Sequence, residues 1–304
     1  MTRFAASFVI AASALALPVA AKEKPPVFVE AKAVKDSKTA VTLNPAKAYI
    51  YVRTSNAMPL HFSRIPTADD QIGYEKLKAA AFVEASEDYD KAMKKYERDL
   101  ALSKQSSGAK KPKKPVEPTE ANFQFVPFGQ LANFTVGTFN RFQSKGGSSY
   151  LDEVTPGTYR IYGQVDPLLG FGVCYCMGSV TFEAKAGEVT DLGSVEPDAA
   201  NSEPPEKGDS SSPRFAANAF AWTPSDSSSP VDTRLASVTR VPADFRAAGK
   251  SPNYMGIAIS RIPAIAGVIG YQRDRIVDLK AAAVPMAEAP PAAAGGEAAV
   301  PAGM

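Results

Sequence analysis

The chain has 304 residues, of which 45% are hydrophobic and 22% are charged, and its formal net charge is +2. A balance this close to neutral excludes a nucleic-acid partner on global electrostatics, because such proteins carry a marked excess of Lys and Arg. The length allows one substantial domain or two small ones, and the 25 prolines and 21 glycines favour short strands joined by turns.

Residues 1–21 have the pattern of a secretory signal peptide. Arg3 is their one charged residue, an apolar run extends from Phe8 to Leu17, and small residues precede a cleavage point near Ala21. The run is too short to cross a bilayer, and no later apolar stretch reaches about 18 residues, so we predict no transmembrane helix. The sequence therefore predicts a periplasmic protein that is exported through the Sec route.

Six short segments have the pattern of β-strands and predict a mainly β fold, an antiparallel β-sandwich. In the second segment Ile50 and Val52 alternate onto one face. The other face carries Tyr49, Tyr51 and Arg53. The six segments are 26–34, 47–55, 132–142, 156–165, 173–185 and 188–195.

Two details of the later strands are also predicted. In the fourth segment, alternation puts Tyr159, Ile161 and Val165 on one side of the sheet. Ala186 and Gly187 separate the fifth and sixth segments and predict a hairpin turn between them.

The segment 68–102 predicts one long α-helix between the second and third strands. It lacks Pro, has Gly73 as its one glycine, and is rich in Ala, Glu, Lys and Leu. Thr67 suits the N-cap, and Asp69 and Asp70 suit the positive end of the helix dipole. At about 1.5 Å per residue the helix is roughly 50 Å long.

An apolar stripe follows this helix with the spacing of a coiled-coil seam. Phe82, Tyr89, Met93, Tyr96 and Leu100 follow one another at alternating steps of four and three residues. A helix of this length needs something to cover such a stripe. The proline-rich segment that follows is a candidate.

Pro112, Pro115 and Pro118 occur at every third position, so in a polyproline II conformation all three rings face one way, about 9 Å apart. Phe82, Tyr89 and Tyr96 recur every seven residues, about 10.5 Å apart along the helix. We therefore predict that the chain returns antiparallel to the helix with its prolines between these aromatics. The insertion 67–122 is called here the interaction arm, and these six residues are its predicted contact residues.

Two other interpretations of the arm stay open. The helix can pack its stripe on the sheet, with the proline-rich segment as a linker, or it can form a homodimer with a second copy. Four lysines crowd the far end of the arm, and we call them the basic tip: Lys110, Lys111, Lys113 and Lys114. This tip suits an anionic envelope surface such as lipid headgroups or lipopolysaccharide phosphates, although it also fits a merely solvated turn.

The composition predicts how the rest of the chain is organised. The region 22–195 is the sandwich with its inserted arm, 196–213 is a polar linker, 214–280 completes or flanks the sandwich, and 281–304 is an Ala- and Pro-rich disordered tail.

Both cysteines lie in one predicted strand, at Cys174 and Cys176, followed by Met177. On an extended chain the two cysteines share a face with Val180 and Phe182, which favours buried free thiols. A disulfide needs a glycine bulge to bring the two Cα atoms closer, since on a strand they lie about 6.5–7 Å apart. A soft-metal site on Cys174, Cys176 and Met177 and a bridge to another chain are the remaining alternatives.

The sequence predicts no catalytic group. His61 is the one histidine, no G-x-S-x-G motif surrounds a serine, and no H-E-x-x-H or C-x-x-C motif occurs. A structural role for His61 is therefore favoured over a base or a ligand. Nothing implies a cofactor.

The chain resembles a class of uncharacterised exported bacterial β-sandwich proteins, a domain of unknown function. In these proteins a Pro-Gly-x-Tyr strand precedes a strand that ends in Phe-x-x-x-Ala-Gly. The resemblance covers roughly residues 45–55 and 150–195 and departs at the arm and after Val195. It implies a sandwich in the cell envelope and no catalytic residues, and the matching runs are AYIYVR (48–53), PGTYRIYG (156–163) and CMGSVTFEAKAGEVTDLG (176–193).

We therefore expect a non-enzymatic periplasmic or envelope-associated interaction or structural protein. Its partner is an unidentified envelope protein or an anionic envelope surface. The alternative is a soft-metal or thiol-redox protein that uses the Cys-x-Cys-Met strand.

Overall fold

The computed structural model describes residues 26–36, 40–55, 58–105, 110–137, 139–143, 147–166, 172–197, 220–230, 232–273 and 275–283. The predicted signal peptide, the linker beyond residue 197 and the tail beyond residue 283 lie outside the described residues. The predictions for those segments stay predictions.

Within the described residues the chain is mainly β with one long helix, as predicted. The helices are α1 (Ala68–Gln105), α2 (Phe128–Leu131) and α3 (Leu279–Ala283). The strands are β1 (Ala31–Ala33), β2 (Ala48–Thr54), β3 (Leu60–Arg64), β4 (Asn133–Val136), β5 (Ser148–Val154), β6 (Gly157–Val165), β7 (Gly172–Cys174), β8 (Ser179–Ala184), β9 (Val189–Pro197), β10 (Phe220–Thr223), β11 (Arg240–Pro242), β12 (Arg246–Ala248), β13 (Ala258–Ile259), β14 (Ile269–Gln272) and β15 (Arg275–Asp278).

The described strands form two large sheets and a two-stranded one. Sheet A has the order β1-β5-β2-β9-β10, with β11 beside β9. Sheet B has the order β12-β8-β6-β3-β4, with β7 beside β6 and β13 beside β7, and β14 pairs with β15 alone. The prediction of purely antiparallel sheets is wrong, because β9 runs parallel to β2 and to β11, and β13 runs parallel to β7.

The two large sheets share one hydrophobic core. Ile50 and Val52 of β2 contribute to it from sheet A, and Phe62 of β3 and Phe182 of β8 contribute from sheet B, all fully or almost fully buried. Trp222 joins this core and donates its indole N–H to the carbonyl oxygen of Leu192 at 2.7 Å. The face of each sheet that turns away from this core is called here its outer face.

The predicted alternation of β2 is confirmed. Tyr49 and Tyr51 lie on the outer face of sheet A, in a second apolar cluster with Phe142 and Leu235. Arg53 follows them on the same face, since alternate residues of a strand point to the same side. A charged side chain at this position matters for the site described below.

The prediction that Val165 shares a side with Tyr159 and Ile161 is wrong. The pairing of β3 with β6 shifts between His61 and Phe62, so β6 carries an irregularity that changes the phase of its alternation. Tyr159 and Ile161 face the shared core, whereas Val165 lies on the outer face of sheet B. A Cβ at Gly163, in this irregular stretch, would overlap the carbonyl of Val173 on β7, which explains the glycine.

Two further predictions about the later strands are corrected. The segment 173–185 is two strands, because a turn at Cys176–Gly178 separates β7 from β8. The turn at Gly187, which has φ +77°, does not make a hairpin, because β8 belongs to sheet B and β9 to sheet A. This turn carries the chain from one sheet to the other.

Candidate functional site

Helix α1 begins where the sequence predicts and ends at Gln105, three residues later than predicted. The Thr67 hydroxyl accepts a hydrogen bond from the Asp70 backbone N–H at 3.2 Å, and the Asp70 carboxylate accepts one from the Thr67 N–H at 2.9 Å. This reciprocal pair caps the N-terminus. Arg64 at the end of β3 also donates to Asp70, at 2.6 Å, and so ties the helix to sheet B.

The Asp70 carboxylate is ionised in this arrangement. Partial burial alone raises the pKa of a carboxyl group, but the hydrogen bonds from Thr67 and from Arg64 lower the pKa of Asp70 below its ordinary value. The root of the arm is therefore fixed by one capping carboxylate that has two partners.

None of the 38 residues of α1 is buried. The predicted stripe is half-buried along its whole length: Phe82, Tyr89, Met93, Tyr96 and Leu100. Beyond the helix the described residues 110–120 have no regular secondary structure, and each of them is exposed except Pro112, Pro115 and Pro118, which are half-buried.

Near the root of the arm the returning chain contacts the helix directly. The rings of Phe82 and Phe123 lie 5.2 Å apart between centroids, and those of Tyr74 and Phe125 lie 5.6 Å apart. The Tyr74 hydroxyl donates to the Val126 carbonyl oxygen at 3.1 Å. Because the earlier helix residue meets the later chain residue, the two run antiparallel here.

Charge is unevenly distributed along the arm. Residues 68–90 contain seven acidic and two basic residues, whereas residues 91–114 contain nine basic and two acidic ones. The four lysines of the basic tip are all exposed. The half of the arm that is farther from the sheets is therefore positive, and the half nearer to them is negative.

The two cysteines form a disulfide, with Cα atoms 5.1 Å apart, and none of the described cysteines is free. The favoured prediction of two free core thiols is therefore wrong, and the disulfide alternative is the one observed. The reason is local: β7 ends at Cys174 and the chain turns at Cys176, so the two residues are not in the phase of one strand.

The segment that contains β13 lies over this disulfide. The Ser260 N–H donates to the Cys174 carbonyl at 2.8 Å, and the Ser251 N–H donates to the Cys176 carbonyl at 2.9 Å. Both cysteines are buried, in a small cluster with Tyr162 and Val165 of β6. Met177 is 41% exposed and is not part of this cluster.

His61 is buried on the outer face of sheet B, which agrees with a structural role. Its Nδ1 shares a hydrogen bond with the Thr135 hydroxyl at 2.8 Å, and its ring packs edge-on against Tyr162 at 5.5 Å. Its Nε2 is buried and has no hydrogen-bond partner in the described part of the chain. Burial lowers the pKa of His61 to about 4, so the imidazole is neutral at pH 7.

A polar cleft of about 1070 Å³ opens beside β2 on the outer face of sheet A. Its walls come from distant parts of the chain and are rich in hydroxyl and charged side chains. The residues that matter below are Arg53 of β2, Ser194 and Glu196 of β9, Thr223 of β10, and Arg234.

Arg234 is held entirely by protein groups. It forms two hydrogen bonds with the Asp232 carboxylate at 2.7 and 2.9 Å and one with Asp36 at 2.8 Å. Its guanidinium also lies 3.9 Å from the centroid of the Phe142 ring. This arginine therefore builds one wall of the cleft.

Sequence reasoning missed this cleft. The alternation of β2 did place Arg53 on the outer face with Tyr49 and Tyr51, and a cation beside two aromatics was the available signal. Nothing in the sequence shows that β9 and β10 bring Ser194, Glu196 and Thr223 to the same place, because that juxtaposition depends on the parallel pairing of β2 with β9.

Two kinds of feature are absent from the described residues. No group of three or more His, Cys, Asp or Glu side chains among them is placed to hold a metal ion. No helix in the described part of the chain is both long and apolar enough to cross a membrane.

No protein-family model, no curated protein and no solved structure matches this chain.

Proposed function

We propose that this is a non-enzymatic, envelope-associated binding protein with a β-sandwich body, and that its arm carries the basic tip to an anionic, phosphate-bearing surface. The single observation behind the proposal is the separation of charge along the arm. An anionic surface would repel the acidic half of an arm that lay flat on it. Electrostatics therefore favours contact end-on, through the tip.

The partial burial along the arm favours a rigid arm that holds the tip. The helix stripe and the three prolines are half-buried, whereas the residues between the prolines are exposed. That is the pattern expected when one edge of a polyproline II segment lies on the helix. Packing of Pro112, Pro115 and Pro118 between Phe82, Tyr89 and Tyr96 is the specific form that we propose.

A sandwich body and an envelope location complete the proposal. Two sheets that share one core support the sandwich, and the apolar run that precedes Ala21 supports export. A phosphate-bearing lipid surface is the partner that we favour over an envelope protein. Lysines near such a surface each contribute about 1 kcal/mol, and this attraction needs no shaped interface.

Vesicle flotation of the mature chain tests the proposal. We expect the protein to bind vesicles that contain phosphatidylglycerol and not vesicles of phosphatidylcholine alone, and binding to fall as salt is raised. Replacing the four tip lysines by glutamine should weaken binding at least about tenfold, because each lysine contributes about 1 kcal/mol.

The chain offers a matched control for charge. Lys32, Lys35, Lys185 and Lys250 are exposed on the body, and replacing these four by glutamine changes the net charge by the same amount. The control variant should bind as the wild type does. Equal loss in both variants would mean that binding depends on the net charge and not on the tip, which would contradict the proposal. Unchanged binding of the tip variant would also overturn it.

The alternative function, a soft-metal or thiol-redox protein, finds less support. Thiolates bind soft metals, but the sulfur atoms of Cys174 and Cys176 are joined to each other and buried. Met177 is not part of their cluster. Such a function would require reduction of the disulfide and displacement of the segment that covers it.

A further inference from the structure

The guanidinium of Arg53 has hydrogen-bonding capacity that the protein does not use. One terminal nitrogen donates to the Pro230 carbonyl at 2.8 Å. Its Nε is buried and has no hydrogen-bond partner among the described residues. A buried donor without a partner costs about 1–3 kcal/mol, so an acceptor that reached Arg53 from the cleft would recover part of that cost.

The nearest carboxylate does not supply that acceptor. Asp191 is fully buried, and it accepts hydrogen bonds from Arg240 at 2.6 Å and from the Gly193 N–H at 2.8 Å. Arg53 stands 3.7 Å from it, beyond hydrogen-bond distance. Two arginines thus share one carboxylate, so Asp191 does not fully neutralise the guanidinium of Arg53.

Glu196 is the complementary group. It lines the same cleft, and within the described residues its carboxylate has no ion pair and no side-chain hydrogen bond. Arg53 pairs with Ser194 across the sheet, and Glu196 lies two residues further along the same face of β9. From the spacings of a sheet, the two Cα atoms are about 8 Å apart.

We infer that this cleft binds a small zwitterion with a free carboxylate and a free amine, an amino acid or a short peptide, whose carboxylate meets Arg53 and whose ammonium faces Glu196. A guanidinium offers a carboxylate a forked pair of donors. The hydroxyls of Ser194 and Thr223, which lie opposite each other in the sheet, stand beside the two charges. The volume exceeds that of a single amino acid, which leaves space for a peptide.

The probes for the test differ in one charge at a time. L-alanine and L-alanyl-L-alanine carry both charges, N-acetyl-L-alanine lacks the amine, and L-alaninamide lacks the carboxylate. By calorimetric titration of the mature chain at low salt, we expect one of the two zwitterions to bind, and each blocked compound to bind at least tenfold more weakly.

Two variants connect that preference to the residues. Arg53→Gln should abolish binding of the zwitterion. Glu196→Gln should reduce binding of the zwitterion to the level of the N-acetyl compound, which should itself be unaffected. Arg246→Gln and Glu183→Gln, which change exposed charges outside the cleft, serve as controls and should leave binding unchanged.

The fluorescence of Trp222 and the melting temperature of the protein show whether each variant folds. If Arg53→Gln does not fold, Glu196→Gln and the blocked compounds still decide the question. The inference is overturned if neither zwitterion binds the wild type at millimolar concentration, or if Glu196→Gln binds the zwitterion as tightly as the wild type does.

Discussion

The outer faces of the two sheets are covered in different ways. On sheet A, an apolar cluster around Tyr51 gives way to charged residues, and a cleft stays open beside Arg53. On sheet B, the segment that contains β13 closes over a disulfide, and its Tyr254 ring stacks on Tyr162 at 4.2 Å, beside the neutral His61.

The outer face of sheet A is therefore suited to binding a ligand, and that of sheet B to stabilising the fold. An ion-pair network in which one guanidinium donor and one carboxylate have no partner among the described residues suits a ligand that carries charge. A cluster of aromatic, aliphatic and disulfide groups under a backbone-bonded segment suits stability, because its polar atoms are few and covered. The two faces therefore make different predictions for substitutions at buried groups.

The largest effect is expected at the centre of the sheet A network. Asp191→Asn keeps an acceptor for the Gly193 N–H but leaves Arg240 and Arg53 without their shared carboxylate. Removing one partner of a buried ion pair costs about 3–5 kcal/mol. Urea unfolding followed by the fluorescence of Trp222, the one tryptophan, measures the loss.

Asp244→Asn is the matched control for Asp191→Asn. Asp244 also has two cationic partners, Arg246 and Lys280, but its side chain is 64% exposed. Exposed pairs contribute about 0–1 kcal/mol, so this variant should lose little. Equal losses in the two variants would contradict the description of sheet A as a buried charge network.

A smaller, pH-dependent effect is expected on sheet B. The pKa of His61 is about 4 in the folded protein, below the 6.5 of an ordinary histidine. Between these values the unfolded chain binds a proton that the folded chain does not. Stability is therefore lost as pH falls from 7 to 4, by about 3 kcal/mol, since one pKa unit is about 1.4 kcal/mol.

His61→Asn isolates this contribution, because an asparagine does not titrate and can keep the hydrogen bond to Thr135. Burial raises the pKa of Asp152 to about 7, so this carboxyl acts in the opposite direction and favours the folded state on acidification. Asp152 is present in both proteins and cancels in their difference. Parallel stability curves for wild type and variant between pH 4 and 7 would disprove the assignment.

The long helix and five of the six strand segments were predictable because their signals are local. The cap at Thr67, the missing proline and the seven-residue spacing of aromatics all lie within α1. The prolines at every third position likewise show the burial that their spacing implies. The parallel pairing of β2 with β9 was not predictable, since the alternation of a strand does not identify its neighbour.

The same distinction explains the errors at the candidate sites. The phase of Cys174 and Cys176 was inferred for a continuous strand, and a turn at Cys176 removed the premise. Val165 was misplaced for the same reason, by one irregularity in β6. Arg53 was placed on the correct face, but its partners come from residues more than a hundred positions away.

The smallest effect is expected at the disulfide, which sharpens the contrast between the two faces. Cys174→Ala with Cys176→Ala removes a cross-link that closes a very short loop. In the chain-entropy description such a loop is worth about 1–2 kcal/mol, less than the loss at Asp191. Because the alanines stay apolar, the cluster around Tyr162 loses no polar partner.

The urea midpoint from Trp222 fluorescence should fall slightly. Thiol counting of the denatured wild type should find no reactive thiols before a reductant is added and two afterwards. Two thiols without reductant, together with an unchanged midpoint, would restore the free core cysteines that the strand pattern first suggested.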